Sequence, residues 1–98
     1  MGIIKNINLN SIEENLKEVI GLSFQARLFQ EEYEDVMKQI IVSKKSYSSG
    51  NIPKDVYDKN KIMLENERKK LVLKVNETID KIKKVNDNIQ KIIKGNII

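Results

Sequence analysis

Turn-forming residues are concentrated near the middle of this 98-residue chain, at positions 46–53. The stretch contains Gly50 and the only proline of the chain, Pro53. A glycine just after a helix tolerates a positive φ, and proline suits the start of the next helix, where its missing N–H would be unpaired anyway. Because helical periodicity continues for similar lengths on both sides, the sequence predicts two long helices joined by a short turn at 49–52.

The second predicted helix, at 53–94, has a regular seam of apolar residues in its C-terminal half. From Val75 onward these residues are spaced alternately by four and three positions, as in a coiled coil. The predicted seam consists of Val75, Ile79, Ile82, Asn86, Ile89 and Ile93. Two interpretations of Asn86 remain open: it sets the register of the helix pair, or the helix is slightly rotated and Val85 takes the core position.

The first predicted helix, at 11–48, begins where Ser11 and Glu14 have the spacing of a capping box. A break at Gly21 is an alternative that the sequence leaves open. The apolar surface widens at 19–29 beyond the stripe that one partner helix covers. We therefore expect a dimer or partner interface formed by Val19, Ile20, Leu22, Phe24, Leu28 and Phe29.

The charges of the two predicted helices are complementary in an antiparallel arrangement. Residues 10–37 carry seven acids and two bases, whereas residues 68–98 carry nine bases and three acids. Folding about Gly50 sets the acidic stretch 31–35 opposite the basic stretch 68–74, so we expect these two faces to meet.

These patterns predict an all-α fold, a long antiparallel two-helix hairpin at 11–94 that resembles a coiled coil. The hairpin is flanked by an apolar N-terminal tail or short strand at 1–10 and an apolar C-terminal tail at 95–98. Two helices alone cannot bury all the apolar side chains, so we expect dimerisation into a four-helix bundle. The expected partner is a second copy or another helical protein.

The composition excludes several kinds of chemistry. The chain has no cysteine and no histidine, so it lacks a thiolate nucleophile, the commonest general base and the usual zinc ligands. The acidic cluster at 31–35 has oxygen ligands suited to Mg²⁺ or Ca²⁺, but pairing with the basic second helix accounts for it better. We therefore predict no catalytic residues, metal, cofactor or small-molecule substrate, and a non-enzymatic interaction or scaffolding module.

The alternative function is polyanion binding, to nucleic acid or to an anionic membrane surface. The chain has a net charge of +4, and a set of lysines falls near one face of the second helix. These residues are Lys70, Lys74, Lys81, Lys84 and Lys91. Arginine, the preferred reader of bases, occurs only twice.

The longest apolar runs are three residues long, so the sequence predicts no transmembrane span. The N-terminus shows no basic stretch followed by an apolar core, as a signal peptide would. The expected location is the cytoplasm.

Overall fold

The computed structural model describes residues 9–95, which form two long α-helices and no strand within that range. Helix α1 spans Leu9–Ser48 and helix α2 spans Lys54–Gly95. The predicted all-α hairpin class is confirmed. Helix α1 begins two residues before the predicted start, and it continues through Gly21 without a break. Of the predicted tails at 1–10 and 95–98, residues 9–10 belong to α1 and Gly95 belongs to α2, while 1–8 and 96–98 lie outside the described residues.

The turn between the helices is a Schellman cap followed by a proline start. Gly50 has a φ of 75°, which an L-residue rarely adopts. The backbone N–H of Gly50 donates to the carbonyl of Tyr47 at 3.0 Å, and that of Asn51 donates to the carbonyl of Ser46 at 2.9 Å. Helix α2 then begins after Pro53, whose carbonyl accepts a bond from the backbone N–H of Tyr57 at 3.1 Å.

The two helices contribute to two compact units. The first, which we call the turn unit, is Arg27–Asn76 and contains the turn with the adjoining halves of both helices. The second, the terminal unit, combines the other halves of the helices and is described at 9–26 and 77–95.

The core of the turn unit is a small cluster of aliphatic side chains. Val36 of α1 packs with Leu64 and Leu71 of α2, and Leu71 is completely buried. Near the turn, the rings of Tyr47 and Tyr57 lie with their centroids 4.5 Å apart. These contacts join residues before and after the turn in the order that an antiparallel pair requires.

A charged residue, Arg68, lies in the seam of the turn unit. Arg68 Nε donates to Glu65 Oε2 at 3.0 Å, and both side chains are about one-third exposed. The hydrogen bond and charge of Glu65 raise the pKa of Arg68 above its ordinary value, and Tyr33 adds a smaller effect in the same direction. The guanidinium therefore stays charged in a seam that is otherwise mostly apolar.

Burial follows a heptad pattern along α1 and along α2 from Leu64 onward. In heptad notation, positions a and d form the seam, while e and g flank it on opposite sides. The a and d residues of α1 are Ile12, Asn15, Val19, Leu22, Ala26, Phe29, Tyr33, Val36, Ile40 and Ser43, all half-buried or buried. Those of α2 from Leu64 onward are Leu64, Arg68, Leu71, Val75, Thr78, Ile82, Val85, Ile89 and Ile92, which are likewise half-buried or buried.

The seam of α2 differs from the predicted one at every second position. Val75, Ile82 and Ile89 lie in the seam as expected. Val85 is 6% exposed, whereas the neighbouring Asn86 is exposed. In the same way, the seam contains Thr78 instead of the predicted Ile79, and Ile92 instead of the predicted Ile93. Leu64 and Leu71, near the turn, fix which residues of α2 take the seam positions. Counting in steps of seven from Leu71 gives residues 78, 85 and 92 as the following seam positions.

The described ion pairs join residues of the same helix. Glu13 pairs with Lys17 at 3.4 Å, and Glu31 pairs with Arg27 at 3.7 Å. Arg68 of the basic stretch pairs with Glu65 of its own helix. Glu31 of the acidic stretch and Arg68 of the basic stretch therefore each pair within their own helix, and none of these three pairs joins the two stretches.

Candidate interaction surface

The terminal unit has one uncharged flank, which we call the apolar flank. It consists of the e positions of both helices: Leu9, Leu16 and Ser23 of α1, and Ile79, Asn86 and Ile93 of α2. In an antiparallel pair, the e positions of the two helices lie on the same side of the seam. In ordinary two-stranded coiled coils these positions carry glutamate and lysine. The uncharged e positions of the terminal unit therefore differ from those of a two-stranded coiled coil that is stable without further partners.

The aliphatic side chains of the apolar flank are exposed to solvent. Leu9 and Leu16 of α1 are 69% and 48% exposed, and Ile79 and Ile93 of α2 are 39% and 36% exposed. Ile20, one helical turn after Leu16, extends the surface outward and is 70% exposed. Apolar residues at a, d and e are typical of a helix that packs against more than one neighbour.

The opposite flank of the terminal unit is charged. It carries Glu14 and Glu18 of α1 and, on α2, Lys81, Lys84 and Lys91 at positions g and c. All five side chains are exposed. The terminal unit therefore has one charged flank and one uncharged flank with exposed aliphatic side chains.

The predicted lysine face is exposed but shared with acids. Lys81, Lys84 and Lys91 lie on the same flank of the terminal unit as Glu14 and Glu18, so the field of these lysines is partly compensated. In the turn unit, Lys70 is exposed, and the Nζ of Lys74 lies 5.5 Å from the centroid of the Phe29 ring. A phosphate-binding groove would require a more uniform positive surface.

The predicted interface at 19–29 divides into two groups of residues. Val19, Leu22 and Phe29 occupy seam positions and are half-buried within the chain. Ile20, Phe24 and Leu28 point to solvent and are 70%, 64% and 42% exposed. The wide apolar surface thus combines an intramolecular seam with an exposed row that follows i, i+4, i+8 along α1.

Within residues 9–95, no group of three or more acidic side chains is arranged to hold a metal ion. The acidic stretch 31–35 is spread around α1, because consecutive helical residues point in different directions. Tyr33 faces the seam, whereas Glu31 and Glu34 are exposed.

Neither helix, over the residues that the structure describes, has a stretch long and apolar enough to cross a membrane.

No protein-family model, no curated protein and no solved structure shows significant similarity to this chain.

Proposed function

We propose that this protein is a non-enzymatic interaction or scaffolding module that acts as a dimer of helical hairpins. The observation that carries the proposal is the apolar flank of the terminal unit. Exposing a row of uncharged aliphatic residues to water is unfavourable in free energy. Packing against a second apolar helix pair removes this surface from water.

The amount of exposed surface supports a need for a partner. Only four aliphatic residues of the described chain are buried: Val36, Leu64, Leu71 and Val85. By contrast, fifteen large hydrophobic residues of the described chain are exposed to solvent. A second apolar surface would cover some of them.

The charges of the terminal unit favour a second copy as the partner. Residues 9–26 of α1 carry three carboxylates and one lysine, whereas residues 77–95 of α2 carry five lysines and three carboxylates. A two-fold interface must be complementary to itself. With a negative and a positive helix side by side, α1 of one copy faces α2 of the other, and the apolar flanks meet between them.

The proposal is tested by mixing two differently tagged copies of the chain and measuring how much of one copy is recovered with the other. We expect recovery with the wild type and loss of recovery with Leu16→Glu or Ile79→Glu, because each places a carboxylate inside the interface. Glu18→Gln on the opposite flank is the matched control and should leave recovery unchanged. Equal recovery of the wild type and both flank variants would contradict the proposal.

A further inference from the structure

A groove runs along one side of the turn unit, and we call it the tip groove. It consists of two adjoining cavities of about 410 and 290 Å³ that share Gln39, Met63 and Leu64. Its floor is the core of the turn unit, which includes Leu71, and it reaches Ile52 in the turn. The groove is separate from the apolar flank, since all its lining residues belong to the turn unit.

Two of the side chains that line the tip groove are both apolar and strongly exposed. Val42 of α1 is 60% exposed and Met63 of α2 is 62% exposed, and they flank the same cavity. Flexible methionine side chains are common on surfaces that accept helical peptides. The walls therefore present an unfilled hydrophobic strip above a packed floor.

The charges of the tip groove are all negative. Glu32 and Asp35 of α1 and Glu67 of α2 line it, and neither cavity is lined by a lysine or an arginine. Within residues 9–95, these three carboxylates take part in no ion pair. This local acidity contrasts with the net charge of +4 of the whole chain, so the groove attracts cations that the rest of the surface repels.

A buried hydroxyl group without a partner also lines the tip groove. Ser43 is 9% exposed, and its Oγ atom makes no hydrogen bond in the described structure. An unpaired buried hydroxyl costs about 1–3 kcal/mol. Ser43 lies beside Val42 and Met63 in the lining of the cavity, and its hydroxyl group is buried below the groove surface.

From these features we infer that the tip groove binds a basic amphipathic helix of a partner protein. Apolar side chains of that helix fill the space between Val42 and Met63, and its lysines or arginines face the three carboxylates. Along α1 the groove extends from Glu32 to Ser46. This distance is about 21 Å, which matches roughly 14 residues of helix. With the partner helix bound, the turn unit becomes a three-helix bundle.

The experiment measures binding of a fluorescein-labelled 14-residue helical peptide, made of leucine at heptad positions a, d and e and lysine elsewhere, by fluorescence anisotropy. A second peptide has glutamate in place of every lysine. We expect the lysine peptide to bind at least about tenfold more tightly, because the groove is acidic. Equal binding of the two peptides, or no binding of the lysine peptide, would overturn the inference.

Variants of neighbouring residues locate the site. Val42→Glu and Met63→Glu should weaken binding of the lysine peptide at least about tenfold. Ile41→Glu and Ile62→Glu are matched controls, since these residues are 50% and 65% exposed and do not line the groove. Equal losses in wall variants and controls would show nonspecific adsorption and contradict the inference.

Charge reversal provides a test that does not disturb the apolar walls. Changing Glu32, Asp35 and Glu67 together to lysine should abolish the preference for the lysine peptide. The control reverses Glu34, Asp55 and Asp58, three carboxylates of the turn unit that lie outside the groove. If the control reversal has the same effect, net charge alone explains binding and the inference fails.

A third peptide identifies the occupant. The basic segment 77–95 of this chain is the only candidate that the protein itself offers from its described residues, with five lysines against three acids. If this peptide binds the groove as tightly as the lysine peptide and competes with it, the occupant is a second copy of the chain, and the inference of a separate partner is wrong. We expect it to bind at least about tenfold more weakly.

Discussion

The Nζ atom of Lys74 lies 5.5 Å from the centroid of the Phe29 ring, so a cation of α2 covers an aromatic seam residue of α1. This contact aligns the two helices between five and six turns from the bend. Cation–π contacts at exposed sites contribute about 0.5–1 kcal/mol. In a double-mutant cycle with Phe29→Leu and Lys74→Gln, we expect a coupling energy of that size. Urea denaturation of the four proteins measures it, and strictly additive losses would contradict the contact.

The position of the seam can be tested at two adjacent residues of α2. Val85 is buried and Asn86 is exposed. We expect Val85→Ala to lower the free energy of unfolding by about 1–2.5 kcal/mol, through lost apolar burial and the cavity left behind. Asn86→Ala should change it by less than about 0.5 kcal/mol, as is usual for a surface position. Thermal denaturation checks both, and the reverse order would place Asn86 in the seam.

Two glycines should respond to alanine with opposite signs. Gly50 has a φ of 75°, so Gly50→Ala should lower the free energy of unfolding by about 1 kcal/mol or more. Gly21 lies inside α1, where an added Cβ would contact nothing. Gly21→Ala should therefore raise the free energy of unfolding by about 0.5–1 kcal/mol. Chemical denaturation measures both values, and a loss at Gly21 would indicate that α1 breaks there.

The hydroxyl group of Ser43 predicts a stabilising substitution. Ser43→Ala removes a buried polar atom that has no hydrogen bond, and it also raises helix propensity. We expect the free energy of unfolding to rise by about 1 kcal/mol or more. Ser48→Ala, at the exposed end of α1, is the control for propensity alone. An equal change in the two variants would mean that the Ser43 hydroxyl is hydrogen-bonded in solution.

The sequence was sufficient to predict the fold class and the turn. Gly50 and Pro53 act through local backbone geometry, which does not depend on the rest of the chain. The phase of the α2 seam depended on more than local pattern. Ile79 is more apolar than Thr78, yet Thr78 is 4% exposed and Ile79 is 39% exposed. The seven-residue repeat from Leu71 outweighs the hydrophobicity of a single position, and its phase is fixed only by packing against α1.

The sequence predicts an apolar surface at 19–29 that is wider than one seam covers. Ile20, Phe24 and Leu28 of this surface are exposed, and their contact with a partner stays a prediction. The apolar flank can be recognised only when the heptad positions of both helices are known, and the sequence pattern alone does not fix these positions. The tip groove brings together Val42 of α1 and Met63 of α2. These residues are far apart in sequence, so no motif marks their proximity.

Sedimentation equilibrium of the wild-type chain at micromolar concentrations tests the central claim, self-association through the apolar flank, most directly. We expect the mass of a dimer for the wild type and for the Glu18→Gln control. The double variant Leu16→Glu, Ile79→Glu should have the mass of a monomer while keeping its helical circular dichroism. A wild-type chain that stays monomeric across the concentration range, or a double variant that stays dimeric, would contradict the account.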